Sequence, residues 1–182
     1  MPYPNRYVAL LRGINLGVRN RVQMAKLREL CEAFGATNAR TYIASGNVVL
    51  DSRHTAQTVA SELERAIERE FSISIAVVVL TAAEVAAVVK RNPFPSAAPN
   101  TLYVAFAAKP IKKSATAHLA ALDFPPDELA VRGRQIYMHL PNGYGRARLP
   151  VDMDRRAGQP ITVRNWRTVT TLDRMAGNTI SE

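Results

Sequence analysis

The sequence is poor in the features that mark secreted and membrane proteins. It has a single cysteine, Cys31, so an intramolecular disulfide is excluded. No apolar run approaches the roughly 18 residues that a membrane-spanning helix needs. The N-terminal stretch MPYPNRYVALLRG does not show the basic, then apolar, then small-residue order of a signal peptide. We therefore expect a cytoplasmic protein without a membrane partner.

Patterns for metal and nucleotide chemistry are also missing. The histidines His54, His118 and His139 stand apart and lack the ligand spacing of a zinc site. No P-loop motif occurs, and the GYG at 143–145 is too short for a dinucleotide fingerprint. Cys31 lies on the apolar stripe of a predicted helix, where a packing role is expected rather than a nucleophilic one. We expect no metal and no cofactor, and we find no recognisable catalytic motif.

What the sequence has in excess is positive charge. Its 24 Lys and Arg against 15 Asp and Glu give a formal net charge of +9 at pH 7. Residues 1–30 hold six basic and one acidic residue, residues 31–100 hold six and seven, and residues 101–182 hold twelve and seven. Such an excess attracts nucleic acid and phosphorylated ligands, although many basic proteins bind nothing anionic. The charge favours an anionic partner.

The first half of the chain has the periodicity of a ferredoxin-like fold. The 182 residues, 47% of them hydrophobic, suffice for one domain or two small subdomains. The βαββαβ order forms an antiparallel sheet that two helices cover on one face. The predicted segments, in order, are a strand at 6–13, a helix at 23–34, a hairpin of 39–44 and 47–51, a helix at 55–71 and a strand at 75–80.

The second half repeats this pattern in part. Thr81 and Glu84 form a capping-box pattern that predicts a linking helix, which the prolines of RNPFPSAAPN then break. We predict an α+β protein of two ferredoxin-like subdomains, the second divergent, packed into one compact unit. Its parts are an N-terminal subdomain with the linking helix at 1–91, a Pro-rich joint at 92–100 and a C-terminal subdomain with a terminal helix at 101–182. Within the last part the pattern predicts a strand at 101–107, a short helix from Ser114 to Leu122, a hairpin near Gly133, a glycine-rich basic loop at 141–150 and a helix at 165–178.

Three polar segments form the candidate binding site: RGINLGVRNR at 12–21, SGN at 45–47 and RNWR at 164–167. Glycine lets backbone amides approach a ligand, and arginine donates two parallel bonds to phosphate or carboxylate. Each segment also has a structural interpretation, as a chain turn, a hairpin turn, or a helix start anchored by Trp166. The candidate ligand-binding residues are Arg12, Asn15, Arg19, Asn20, Ser45, Asn47, Arg164, Asn165 and Arg167.

The same segments carry a resemblance to a known family. LLRGINLGVRNRVQMAKLREL, RTYIASGNVVLDS, the NPF at 92–94 and TVRNWRTVTTL resemble the bacterial family named domain of unknown function 1697. The resemblance spans Tyr7 to Met175 and implies two ferredoxin-like or split subdomains with no established activity. It also implies recurring polar positions at Arg12, Asn15, Asn20, Ser45, Asn47, Arg164, Asn165 and Trp166.

The sequence departs from the family pattern at a few positions. Val18 stands where a second glycine is usual, Ala44 where a glutamine is common, and Ala147 with Arg148 where Ser-Lys is typical. If the glycine or the glutamine contacts a ligand, this member binds that ligand more weakly or differently.

Three functions are compatible with the sequence. The basic loops bind nucleic acid or a phosphorylated metabolite, in which case RGINLG, SGN and RNWR should converge on one surface. Alternatively, an enzyme holds a small anionic substrate with Arg12 and Arg164 and positions it with Ser45 or Asn47, although no general base is evident. A structural or interaction protein is the third hypothesis. The oligomeric state does not follow from the sequence.

Overall fold

The computed structural model describes residues 4–17, 20–149 and 153–177. The chain divides into two compact units, one formed by the residues up to Ala87 together with those from Leu172 onward, and the other by Val88–Thr171. Each unit contains a four-stranded antiparallel sheet. No helix among the described residues combines the length and the apolar character needed to cross a bilayer.

The first unit has the predicted βαββαβ order. Its elements are β1 (Asn5–Leu11), α1 (Met24–Ala33), β2 (Thr37–Tyr42), β3 (Asn47–Ser52), α2 (Ala56–Phe71) and β4 (Val77–Thr81). The strands neighbour one another in the order β2-β3-β1-β4. The ferredoxin-like prediction is confirmed for this unit.

The helices of the first unit form because their apolar residues share one face. Val59, Leu63 and Ile67 of α2 recur every four residues and are fully buried. They belong to one hydrophobic cluster with alternate residues of β1, including Ala9 and Leu11. The intervening residues of β1 are buried as well. This two-sided burial explains why β1 is a continuous apolar run in the sequence.

The linking helix α3 (Ala82–Lys90) begins at the predicted capping box. The Thr81 amide donates to Glu84 Oε2 at 2.8 Å, and the Glu84 amide donates to Thr81 Oγ1 at 3.2 Å. These reciprocal bonds satisfy two backbone donors that a helix start leaves without intrahelical partners. The division between the two units falls within α3, after Ala87.

The second unit repeats the sheet topology. Its elements are β5 (Leu102–Ala107), α4 (Lys113–Ala120), β6 (Glu128–Arg132), β7 (Gln135–His139), α5 (Met153–Ala157) and β8 (Ile161–Asn165), followed by α6 (Trp166–Met175). The strand order β6-β7-β5-β8 is equivalent to that of the first sheet. The predicted divergence lies mainly in α5, which has 5 residues where α2 has 16.

The strand β8 lies between the basic loop and the terminal helix, in a segment to which no element was assigned from the sequence. Thr162 and Arg164 are polar residues at alternate positions of β8, and both are buried. Ile161 and Val163 occupy the intervening positions, so the sequence of β8 does alternate apolar and polar residues. The burial of the polar positions is the feature that only the structure shows.

A buried carboxylate links three strands of the first sheet. Asp51 is 6% exposed and pairs directly with Arg6 across β3 and β1. Arg6 Nε donates to Asp51 Oδ1 at 2.8 Å, Arg6 Nη2 donates to Oδ2 at 3.1 Å, and Asn38 Nδ2 of β2 donates to Oδ2 at 2.9 Å. These bonds, above all those from Arg6, lower the pKa of Asp51 although burial opposes the shift. The ionised carboxylate therefore stabilises the fold.

Asp51→Asn is expected to lower the free energy of unfolding at pH 7 by about 1–3 kcal/mol, because the charge-assisted bonds weaken. A lowered pKa gives stability that is present above the unfolded-state pKa of about 3.9 and is lost as the pH falls through the folded-state pKa. The difference between variant and wild type should therefore shrink in acid. Urea unfolding at neutral and acid pH measures it.

The exposed Asp123→Asn variant is the control for this prediction, because Asp123 lies on the surface of the second unit. It should change stability by no more than about 0.5 kcal/mol. Equal losses for the two variants at pH 7, or a loss for Asp51→Asn that persists in acid, would contradict the stabilising role of the ionised Asp51.

Candidate functional site

Two of the three predicted site segments lie side by side in the first unit. Asn15 of the β1–α1 connection joins them, since its Nδ2 donates to the carbonyl of Ala44 at 2.7 Å and to that of Val22 at 3.0 Å. The Asn15 Oδ1 accepts from the Val22 amide at 2.8 Å. We call residues 12–17, 20–21 and 43–47 the loop cluster. It lies at one end of the first sheet.

Gly46 allows the β2–β3 turn to pack against the β1–α1 connection. Gly46 has a φ of +82°. An added Cβ would lie 2.7 Å from Ile14 Cδ1 and 2.8 Å from Leu11 Cβ. The Gly46 carbonyl accepts from the Leu11 amide at 2.8 Å. Both the backbone conformation and the short distances therefore require glycine at this position.

The β1–α1 connection is cross-linked within itself. Asn15 and Asn20 adopt left-handed backbone conformations, with φ 54° and 50°. The Asn15 amide donates to the Asn20 carbonyl at 2.9 Å, and Asn20 Nδ2 donates to the Gly13 carbonyl at 2.9 Å. Asparagine tolerates this conformation better than most residues do. The described contacts of both side chains support the shape of the loop.

Asn47 and Ser45 have a similar role in the turn. Asn47 is fully buried, and its Nδ2 donates to the Tyr42 carbonyl at 2.9 Å and to Ser45 Oγ at 3.1 Å. The strand predicted to reach Ala44 ends at Tyr42, because Ile43 has a left-handed φ of 49°. The connection is thus four residues long rather than the two expected from the sequence.

The described arginines of the loop cluster and two of its aliphatic side chains are exposed, whereas Ile14 is buried in the core. Arg12 and Arg21 lie on the surface, and the Arg12 amide donates to the Ala76 carbonyl at 3.0 Å. Leu16 is 70% exposed and Ile43 is 49% exposed. Neither apolar residue was among the candidates, although each stands out as a large aliphatic residue within a polar turn. The predicted site residue Arg19 lies outside the described residues.

The third segment, RNWR, belongs to the second unit. Arg164 lies in β8 and is 8% exposed, and its Nη1 donates to Thr162 Oγ1 at 2.8 Å and to the Val163 carbonyl at 2.9 Å. Burial lowers the pKa of Arg164 to about 10, so the guanidinium remains charged at neutral pH. Because the segment lies in a different unit, its convergence with the loop cluster stays a prediction.

The predicted helix start of RNWR is confirmed. Asn165 Oδ1 accepts from the Thr168 amide at 2.8 Å, which caps α6. Trp166 is half-buried, and Arg167 is exposed. The last residues of α6 belong to the first unit, where Arg40 Nη2 donates to the Met175 carbonyl at 2.6 Å.

A concave surface lies in the second unit, and none of the predicted site residues lines it. It encloses about 440 Å³ beside Phe94, Glu128 and His139. His139 Nδ1 lies 2.9 Å from Glu128 Oε1, and the two residues face each other across the β6–β7 hairpin. A carboxylate-bound imidazole can accept a proton, but this pair also has the geometry of an ordinary cross-strand pair that stabilises a hairpin.

The thiol of Cys31 is not available as a nucleophile at neutral pH. Cys31 belongs to α1 and is fully buried in the core of the first unit. Burial raises the pKa of the thiol to about 12, so the reactive thiolate is scarce. The packing role predicted from the helical stripe agrees with this position.

The family model for DUF1697, described as a protein of unknown function, matches residues 5–137. The chain belongs to the DUF1697 family. The matched region includes the loop cluster and ends before RNWR, so the DUF1697 match covers two of the three candidate segments. No curated protein sequence matches the chain.

Solved structures support the fold of this DUF1697 member. Six chains match it. One is the conserved bacterial protein SP0830 from Streptococcus pneumoniae, at 22% sequence identity and a TM-score of 0.78. The similarity covers 95% of this chain and 99% of that protein. At this identity the likeness establishes the shared architecture of two ferredoxin-like units.

Gly46→Ala is expected to destabilise the protein by about 2–4 kcal/mol, because it adds both backbone strain and a steric overlap. Gly13→Ala is the matched control, since Gly13 also has a left-handed φ of +67° but nothing lies within 4 Å of an added Cβ. The control should cost only about 1–2 kcal/mol. Urea unfolding of both variants measures the difference, and equal costs would refute the close packing of the turn.

Proposed function

We propose that this protein binds a phosphate-bearing ligand, nucleic acid or a phosphorylated metabolite, at the loop cluster of the first unit. The observation that carries the proposal is a hydrogen bond that joins the segment RGINLG to the turn containing SGN. Asn15 Nδ2 donates to the carbonyl of Ala44, the residue before SGN, at 2.7 Å. Two segments that are about 30 residues apart in sequence thereby form one surface.

The charge of the loop cluster supports an anionic ligand. Arg12 and Arg21 are exposed on it. The segments RGINLGVRNR and YIASGN contain no Asp or Glu, so no carboxylate of their own reduces this positive charge. Arginine donates two parallel hydrogen bonds to phosphate, which fixes both the position and the orientation of the anion.

The rigidity of the loop cluster also supports binding. The side chains of Asn15, Asn20 and Asn47 hold both loops through hydrogen bonds to backbone carbonyls. A loop that is already ordered loses little conformational entropy when a ligand binds. The asparagines thus support a binding surface whose ligand contacts come from the arginines and from exposed backbone.

Ile43 is a further sign of function in this cluster. A β-branched residue with a φ of 49° is unusual, and such strain costs on the order of 1–3 kcal/mol. Residues held in strained conformations concentrate at binding and catalytic sites. With Leu16, Ile43 places apolar surface beside the arginines, which suits a ligand that combines a phosphate with an apolar group such as a nucleobase.

The proposal does not extend to catalysis. The loop segments RGINLGVRNR and YIASGN contain no His, Cys, Asp or Glu. They therefore offer no side chain that commonly serves as a general base near neutral pH. Arginine, serine and asparagine suffice for binding and orienting an anion.

Replacement of Arg12 and Arg21 by alanine should weaken the binding of a short single-stranded RNA oligonucleotide. The slope of log K against log salt should also become shallower, by about 0.7 for each phosphate contact that is lost. Fluorescence anisotropy at several salt concentrations measures both quantities. Competition by inorganic pyrophosphate distinguishes a small phosphate ligand, which pyrophosphate displaces, from a nucleic acid bound along its backbone.

The matched control is Arg65→Ala with Arg69→Ala on α2, which removes the same charge from another exposed surface of the unit. An equal effect of the two double variants would show that only net charge matters. Salt-independent affinity, or no binding at low salt, would also refute the proposal.

A further inference from the structure

The second unit has a strongly basic end that none of the sequence motifs indicated. Three connections meet there: 108–112 between β5 and α4, 133–134 between β6 and β7, and 158–160 between α5 and β8. The strand register aligns them, since Phe106 pairs with Gln135 and Ala107 with Ile161. We call residues 108–113, 132–134 and 155–160 the basic end.

Hydrogen bonds fasten these connections to one another. The Ala107 amide donates to the Arg134 carbonyl at 2.9 Å, and the Ile111 amide donates to the Gly133 carbonyl at 3.0 Å. The Gln159 side chain bridges to Lys109, accepting from its amide at 3.1 Å and donating to its carbonyl at 2.9 Å. The basic end is therefore one ordered surface built from three separate parts of the chain.

The charge of this surface is one-sided. Its three segments contain no Asp or Glu and carry seven basic residues, Lys109, Lys112, Lys113, Arg132, Arg134, Arg155 and Arg156. Five of them are exposed, while Arg134 and Arg156 are half-buried. The acidic residue closest in sequence is Asp154, whose Oδ1 accepts from the Ile161 amide at 3.1 Å. Among the described residues, this carboxylate flanks segments that carry a large positive excess.

The opposite end of the same sheet has a different charge balance. The connection 121–127 and the first residue of β6 supply three acidic residues, Asp123, Asp127 and Glu128. The Asp127 carboxylate accepts from the Arg148 amide at 3.1 Å, and Glu128 pairs with His139. The opposite end thus combines acidic residues with a basic one, Arg148, whereas the segments of the basic end contain no carboxylate.

Local stability does not account for the lysines there. Lys112 and Lys113 stand at the start of α4, and the first turn of that helix contains no acidic residue. The helix macrodipole disfavours cations at this terminus and favours them at the other. Seven cations on one surface also repel one another. A binding partner with negative charges offsets both costs.

We propose that the basic end binds the phosphate backbone of a nucleic acid. The cations lie in two of the connections and on the adjoining ends of β6, α4 and α5, an arrangement that fits a row of phosphates better than a single phosphate group. This surface shares no residue with the loop cluster, so the inference stands independently of the function proposed above. The contacts are to backbone phosphates, so binding has little dependence on base sequence.

Charge reversal at the start of α4 tests this inference. Lys112→Glu with Lys113→Glu should weaken the affinity for short duplex DNA and for single-stranded RNA about tenfold or more, and should flatten the salt dependence. The same change should preserve or raise thermal stability, because glutamate is favourable at a helix N-terminus. Fluorescence anisotropy and thermal unfolding measure the two effects.

The control is Arg65→Glu with Arg69→Glu on α2, which changes the net charge by the same amount on the first unit. A loss with Lys112→Glu/Lys113→Glu that clearly exceeds the control supports the basic end. Equal losses, a loss below twofold, or binding to anionic lipid vesicles without binding to either nucleic acid overturns it. If only Arg12→Ala/Arg21→Ala weakens binding, the basic end is refuted while the loop cluster stands.

Discussion

The contact of Gly46 with Leu11 and Ile14 holds the β2–β3 turn against the β1–α1 connection. No side chain separates the two loops at this point, because an added Cβ would lie 2.7 Å from Ile14 Cδ1. Their closeness brings the Ala44 carbonyl within 2.7 Å of Asn15 Nδ2. The joining of the two loops depends on this small residue, since the bond from Asn15 to the Ala44 carbonyl forms only where the loops already meet.

Polar residues in this protein fall into two groups with different roles. Asn15, Asn20 and Asn47 use their amide groups to satisfy backbone carbonyls, and Asn165 caps α6. A buried carbonyl without a partner is costly, so such side chains are needed wherever the chain leaves regular structure. The exposed arginines of the loop cluster are the groups to which we assign the anionic ligand in the proposed function.

The two units place different chemistry on the same topological end of their sheets. In the first unit this end includes the described residues of the connections 12–17, 20–23, 43–46 and 72–76, and in the second it includes 108–112, 133–134 and 158–160. The loop cluster of the first unit carries glycine and asparagine with a few arginines and exposed aliphatic residues. The basic end of the second unit carries seven lysine and arginine residues in or next to its connections. One fold thus supports two surfaces, because its connections are free to vary while the sheet order is kept.

The sequence by itself determined the order of elements in the first unit, the capping box at the start of α3, the asparagine cap of α6 and the positive net charge. These features depend on neighbours a few residues apart, such as the spacing of Val59, Leu63 and Ile67 or the pair Thr81 and Glu84. Only the tertiary structure decided that Arg164 is buried in a strand, that Asn47 is enclosed within its turn, and that the lysines before α4 meet the β6–β7 turn. These outcomes depend on contacts between segments far apart in the chain, and a local pattern contains no information about which distant residue will face it.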